Sequence, residues 1–331
     1  MKRELLSPVG NMESLYQAIH NGCDAVYLGM KDFGARHFAK NFSRDEVKEA
    51  TNICHLYGVK IYVTMNTLIY NEEVEQFLEQ VSYLHKIGVD ALIMQDFGMI
   101  NLVRNKFPNL DIHASTQANN STRETIEMYY NLGVTRCVLS RELTIDEINS
   151  IDTPIELEVF IHGALCISYS GCCLMSAMVK NRSGNRGECA GSCRLIYDLY
   201  DYNEKINSFK YLLSTRELNT SNHIDELLNS NIKSFKIEGR MKSPSYVGFI
   251  TKFYRNLLDR KQFDLEKLVD NLKILYNRKF TTGNLFSDPK IMNIDTPNHI
   301  GLEIGKVVEL NDKKIKIKLS RNLNQEDGIR F

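Results

Sequence analysis

The sequence predicts an α/β fold: a TIM-like (β/α)8 barrel with a cysteine-rich insertion between strands seven and eight and a small C-terminal β-module. Three observations predict it. Four stretches share one grammar, a helix-like segment, a Gly or Asn stop, then a short apolar strand with a polar end: "NGCDAVYLG" (21–29), "IGVDALIMQD" (87–96), "LGVTRCVLSR" (132–141) and "SNIKSFKIEGR" (230–240). A Gly closing an amphipathic run is what a helix C-cap needs, and the β-branched run after it reads as a buried parallel strand. Filling the gaps gives eight strand candidates, with helical patterns between most of them. The 331 residues also suit a barrel of about 250 residues plus an appendage. An open doubly wound sheet is the alternative, but no Gly-rich dinucleotide fingerprint follows any strand.

In chain order the expected strands are 3–6, 25–29, 59–65, 90–95, 111–115, 134–139, 155–161 and 233–237. Helical periodicity covers 12–21, 44–57, 73–87 and 120–132. The barrel unit is expected over 1–241, with the cysteine-rich excursion at 163–232. Two amphipathic helices (243–260 and 264–277) and an irregular connector fill 242–299. Residues 300–331 alternate like a β-hairpin with "ND" at the turn and read as an incomplete module.

Composition narrows the function classes. Hydrophobic content of 43% and charged content of 25% describe a globular chain. The formal net charge is zero, so any RNA contact has to come from a local patch. No apolar run approaches the ~18 residues of a membrane span, and the first residues lack a signal-peptide core, so a cytoplasmic chain without membrane contact is expected. Thiols there stay reduced, and clustered Cys points to metal binding or catalysis.

Chemistry in such a barrel gathers at the C-terminal strand ends. Those ends carry Asn66, Gln95, Asp96, Ser115, Thr116, Gln117, Ser140, Arg141, His162, Glu238 and Arg240, with Arg36 and His37 in the "FGARHF" loop (33–38) after strand two. The set reads as a polar pocket for a small anionic or hydroxylated ligand, against the plainer reading of a solvated rim. His162 and Glu238 are the proton-handling candidates, with Arg240 beside them as a catalytic candidate. Arg36, Arg141 and Arg240 are the candidates to clamp a dicarboxylate, since a guanidinium matches a carboxylate bidentately, and Gln117 joins Arg36 and Arg141 as a binding residue.

The segment "HGALCISYSGCCLMSAMVKNRSGNRGECAGSCR" (162–194) leaves the expected barrel mouth after strand seven. Cys166, Cys173, Cys189 and Cys193 are irregularly spaced, with Cys172 beside Cys173. Zinc sites favour two short matched knuckles, whereas an iron–sulfur cluster tolerates irregular thiolate spacing. Buried free thiols are the plain alternative, which suits Cys23, Cys54 and Cys137 on apolar elements. A nucleophilic Cys166 paired with His162 is the catalytic alternative. Lys180, Arg182, Arg186 and Arg194 against Glu188 make a local basic patch.

The stretch "ELEVFIHGALCISYSGCCLMS" resembles the signature of peptidase family U32 at Glu158, Phe160, Gly163, Ala164, Cys166, Gly171, Cys173, Leu174 and Ser176. "NRGECAGSCR", "SFKIEGRMKSPSYV" and "FGARHFAKNFS" match further family blocks. The resemblance covers nearly the whole chain. It implies either a collagenase-like peptidase or an oxygen-independent hydroxylation enzyme. The RNA-modifying relatives form 5-hydroxyuridine at the tRNA wobble position or hydroxylate a 23S rRNA cytidine, and others act in anaerobic ubiquinone synthesis, as a pair. It further implies a 4Fe-4S cluster, prephenate as hydroxyl source, a tRNA or rRNA substrate and, in some relatives, a homologous partner subunit. Cys166, Cys173 and Cys189 are the implied ligands. Many relatives place a fourth Cys where this chain has Asn219, so Cys193, Asn219 or an open iron site is the fourth position.

Overall fold

Inward-facing side chains explain why the sheet closes. A computed structural model describes residues 3–37, 39–311 and 314–331. The strands are β1 (Glu4–Pro8), β2 (Ala25–Gly29), β3 (Lys60–Met65), β4 (Ala91–Met94), β5 (Asp111–Ala114), β6 (Arg136–Val138) and β7 (Glu156–Ala164). A hairpin follows, β8 (Tyr197–Asp201) with β9 (Glu204–Lys210), then β10 (Glu217–Asn219) and β11 (Ser234–Ile237). β1 to β7 pair in sequence, in parallel, and β11 pairs in parallel with both β7 and β1. Eight parallel strands therefore form a closed barrel, as the sequence predicts, and the open-sheet alternative is excluded.

Helices α1 (Met12–His20), α2 (Arg44–Leu56), α3 (Val74–Ile87), α4 (Phe97–Lys106), α5 (Arg123–Asn131) and α6 (Ile145–Ser150) fill the crossovers. The glycine stops at Gly22, Gly88 and Gly133 all take the left-handed backbone that ends a helix. The excursion carries α7 (Met175–Lys180), and α8 (Ile224–Asn229) returns the chain to β11. Next come α9 (Pro244–Leu258) and α10 (Leu265–Leu275). The expected boundary at 241 falls between β11 and its own helix. α9 packs on α1 and β1, joined through a Ser7–Thr251 hydroxyl pair at 2.8 Å, and completes the (β/α)8 unit. β12 (Phe280–Thr281) extends the sheet beyond β10, and the C-terminal hairpin is β13 (Gly305–Asn311) with β14 (Lys314–Leu319). Of its expected "ND" turn, Asp312 lies outside the described residues. Phe38 of the "FGARHF" loop lies outside them as well.

The barrel interior is divided. On the β1–β4 side Leu6, Ala25, Tyr27, Tyr62, Ala91 and Ile93 pack as an apolar cluster. On the β5–β7 and β11 side the interior is charged. Arg136 reaches Glu158 at 3.1 Å and Glu156 at 2.7 Å and also holds Glu4. Lys236 donates to the other oxygen of Glu158 at 2.8 Å. Glu158 is fully buried, which by itself raises a carboxyl pKa, but Lys236 and Arg136 hold it below the usual range.

Removing one partner leaves a buried charge uncompensated. Arg136→Met should therefore lower unfolding free energy by about 3–5 kcal/mol. Arg123→Ala, which breaks only an exposed pair with Glu127, should stay within about 0.5 kcal/mol. Urea midpoints measured side by side check this.

Candidate active site at the barrel mouth

β7 is nine residues long and overhangs the barrel. Its lower part pairs with β6 and β11, while His162, Gly163 and Ala164 pair with β10 in antiparallel sense. The overhang turns the excursion back across the mouth and encloses a cavity of about 410 Å³. That volume lies in the range of small-molecule sites.

Strand ends and excursion supply the lining together. Arg36, Arg141, Gln117, Glu238 and Arg240 come from the barrel, and Cys166, Cys173, Cys189 and Cys193 from the excursion. Of the other strand-end candidates, Asn66, Ser115 and Thr116 join the lining and Gln95, Asp96, Ser140 and His37 do not; of the ten residues given a catalytic, binding or cluster role, nine meet in this one cavity. The exception is His162. Pairing between β7 and β11 skips a residue here, with Lys236 opposite Phe160 and Ile237 opposite His162. A bulge of this kind re-aims a side chain. The His162 ring packs outside the barrel against Tyr254, whose hydroxyl lies 3.1 Å from Nδ1. His162 therefore does not share the pocket with Glu238 and Arg240, and the Cys166–His162 nucleophile pair does not form.

Electrostatics at the mouth centre on Glu238. Its Oε2 lies 3.6 Å from Arg36 and 3.7 Å from Arg141, ion pairs with space left between the groups. Burial alone would raise its pKa; Arg36, Arg141, Arg240 and Lys236 together lower it, so it is a carboxylate at neutral pH and can only accept a proton. Arg240 is buried, donating to Thr64 Oγ1 at 2.7 Å and Asn41 Oδ1 at 3.2 Å. Burial brings its pKa down to about 10, still charged at pH 7. It lies flat across the end of β2 because residue 29 is Gly; a Cβ there would sit 2.3 Å from Arg240 Nη1. At Gly163 the backbone φ is +110°, and a Cβ would meet the Glu238 carbonyl oxygen at 2.5 Å. The motif glycine after His162 is thus what lets β7 pass against Glu238.

Arg141 lies 4.1 Å from the Phe160 ring centre and donates to the Ala164 carbonyl at 3.0 Å, while its Nε is buried without a protein partner. Arg36 is 39% exposed, and among the described residues its guanidinium makes one hydrogen bond, a long 3.4 Å contact to the Ala35 carbonyl. Both guanidiniums keep donors for a ligand. Asn66 donates to Gln117 Oε1 at 3.1 Å and Ser115 Oγ at 3.2 Å, fixing the opposite wall. Lys236, with its ammonium 4.5 Å from the Tyr27 ring centre, also lines the cavity and was not among the sequence candidates. The signal was present: it stands two residues before Glu238, hence on the same face of β11.

The four cavity thiols are all free. Burial raises the Cys193 pKa, Arg194 lowers it, and charge on Cys166, Cys189 and Cys173 raises it further. Gly191 N–H points at Cys189 Sγ at 3.4 Å, the kind of contact that tunes a metal-bound thiolate. Among the described residues, no three His, Cys, Asp or Glu side chains meet at a point as a single metal ion requires. Thiols spaced around a cavity fit a bulky cluster better than a zinc ion. Asn219 does not line the cavity, since its Oδ1 accepts from Tyr254 and from Ser221 N–H, whereas Cys193 does line it. Cys23, Cys54 and Cys137 are buried in the core, where desolvation pushes the latter two up to about 12. The expected basic patch is largely consumed. Arg186 is held by Glu73 and the Leu68 carbonyl, and Arg194 by Ser214, Thr215 and Leu165.

The sequence model of peptidase family U32 matches residues 10–295. The chain belongs to this family. It is 38% identical to the 23S rRNA 5-hydroxycytidine C2501 synthase of Escherichia coli (strain K12), over 98% of this chain and 52% of that protein. It is 37% identical to tRNA hydroxylation protein P of Helicobacter pylori (89% of this chain, 74% of that one). It is 31% identical to a collagenase of Porphyromonas gingivalis (85% and 72%). The chain thus spans about half of the E. coli relative's length. A solved U32 peptidase has the same fold, with a TM-score of 0.50 at 13% identity over 72% of this chain and 93% of its own. Among the described residues, no helix is long and apolar enough to cross a membrane.

Burial lowers the His162 pKa from 6.5 to about 3, helped by Lys242. The unfolded chain therefore binds this proton between about pH 3 and 6.5, and folded stability falls as pH drops through that window. From pH 7.5 to 5 the loss from this group should be about 2 kcal/mol, above the range where Glu238 and Glu158 protonate. His162→Gln should remove one proton from the slope of unfolding free energy against pH; an unchanged slope would contradict the buried neutral ring.

Proposed function

We propose that this chain is an oxygen-independent RNA hydroxylase that forms 5-hydroxyuridine at the tRNA wobble position, with prephenate as the hydroxyl source and a 4Fe-4S cluster as cofactor. One observation carries the reading: four thiols and three arginines line the same cavity. With Lys236 paired to Glu158, three guanidiniums against the Glu238 carboxylate leave two positive charges, the complement of a dicarboxylate. The relatives named for tRNA and rRNA hydroxylation support RNA as the substrate class. Hydroxylation of a 23S rRNA cytidine is the alternative within the same chemistry, and a homologous partner subunit is compatible with it.

Cys166, Cys173, Cys189 and Cys193 would hold the cluster. When bound, it supplies a Lewis acid or an electron relay at the hydroxyl being moved. Arg36 and Arg141 orient the carboxylates with their unspent donors, while Arg240, tied to Thr64 and Asn41, gives a fixed charge at the cavity wall. Glu238, ionised at neutral pH, is the carboxylate that accepts the proton released at the base. The excursion covers the mouth and limits water access.

The collagenase relative favours a peptidase as the second reading. The geometry gives it little support, because His162 faces away from Cys166 and, among the described residues, no histidine lines the cavity.

In a strain lacking the gene, mass spectrometry of tRNA and rRNA nucleosides should show loss of one nucleoside that carries an extra oxygen, and blocking prephenate synthesis should mimic it. Complementation with Arg36→Ala should lower modification about 10- to 100-fold, the loss of a charged hydrogen bond, with the fold retained. Unchanged nucleosides together with cleavage of denatured collagen would move the peptidase reading ahead.

A further inference from the structure

The entrance to the cavity carries apolar side chains that nothing in the barrel needs. Tyr169 is 68% exposed, Leu174 62%, Met178 83% and Val179 56%. Tyr169 and Leu174 also line the cavity, so this surface is continuous with its opening. Met178 follows on α7, four residues beyond Leu174, which places it on the same side of that helix. Exposed apolar groups gathered at a site mark a binding surface more often than scattered ones do.

Charge decides among occupants. From Val159 to Gly187 the sequence contains no Asp or Glu, yet it carries Lys180, Arg182 and Arg186, of which Arg186 is neutralised by Glu73. Lys180 closes α7 and is exposed beside Met178 and Val179. The cavity beneath carries the excess positive charge of Arg36, Arg141 and Arg240. A polyanion with exposed π faces matches this combination, because single-stranded nucleic acid is held by cationic grooves and aromatic stacking. A duplex hides its base faces and could use only the charge.

We propose that Tyr169, Leu174 and Met178 form the landing surface for an unpaired RNA segment, with one base stacked on Tyr169 at the cavity entrance and a phosphate drawn to Lys180. This rests on the RNA reading above and adds to it the conformation of the substrate and the residues that meet it. The target base reaches the cavity already unstacked, so the protein does not open a helix.

Binding of the full chain to a fluorescent single-stranded RNA, to the same sequence as a duplex, and to denatured collagen tests it. Tyr169→Ala should weaken single-strand binding about 5- to 150-fold, the range of one lost base stack, and Tyr169→Phe should restore it. Met178→Glu should weaken it as well and flatten its salt dependence. The proposal is overturned if Tyr169→Ala binds within about twofold of the parent, if the duplex binds as tightly as the single strand, or if Tyr169→Ala loses denatured collagen instead. If the unaltered chain modifies RNA while the variants bind normally, this surface alone fails; if it neither binds nor modifies RNA, the RNA reading fails with it.

Discussion

Every second residue of β11 and its continuation is polar and points inward, and each has to find a partner in a space without water. Ser234 meets Glu4, Lys236 meets Glu158, Glu238 meets Arg36 and Arg141, and Arg240 meets Thr64 and Asn41. Charges buried this deeply are tolerated only when paired. The ladder therefore fixes which residues β1, β3, β6 and β7 must present to it, and it stands between the two strands that close the barrel. Its lower rungs hold the barrel together, and its upper rungs, Glu238 and Arg240, line the mouth where an anion is proposed to bind. Stability and ligand recognition thus depend on one alternating pattern.

The second determinant is the length of β7. A strand ending level with its neighbours would release the excursion into solvent. Because β7 continues to Ala164 and recruits β10 from the far end of the excursion, the cysteine segment is tethered at both sides and folds across the opening. Arg194, spent on Leu165, Ser214 and Thr215, fastens the last cysteine's loop to the same tether. Thiols and arginines as far apart in the chain as Arg36 and Cys193 become walls of one cavity by this means.

Much of this was readable in the chain. The eight strands were, because alternation and the glycine stops are local, and so was the convergence of Arg36, Arg141, Glu238 and Arg240 at one rim, because parallel strands put all their C-terminal ends together. His162 was not, since the bulge opposite Lys236 and Ile237 reverses the side on which it emerges, and pairing registers are invisible in one strand's sequence. The fate of Arg186 was equally hidden: its partner Glu73 lies 113 residues away and only the folded loop brings them together. Lys236 was overlooked because a lysine inside an apolar strand is expected at an edge rather than in a barrel interior, and Glu158, which makes it affordable there, stands on another strand.

The most direct test of the account is the metal content and EPR spectrum of the protein purified without oxygen, for the parent chain, Cys193→Ser and Asn219→Ala. The account predicts about four irons with matching sulfide per chain. It also predicts a cluster signal that Cys193→Ser loses or shifts and Asn219→Ala leaves unaltered. Stoichiometric zinc without iron, or a cluster indifferent to Cys193 and dependent on Asn219, would contradict it.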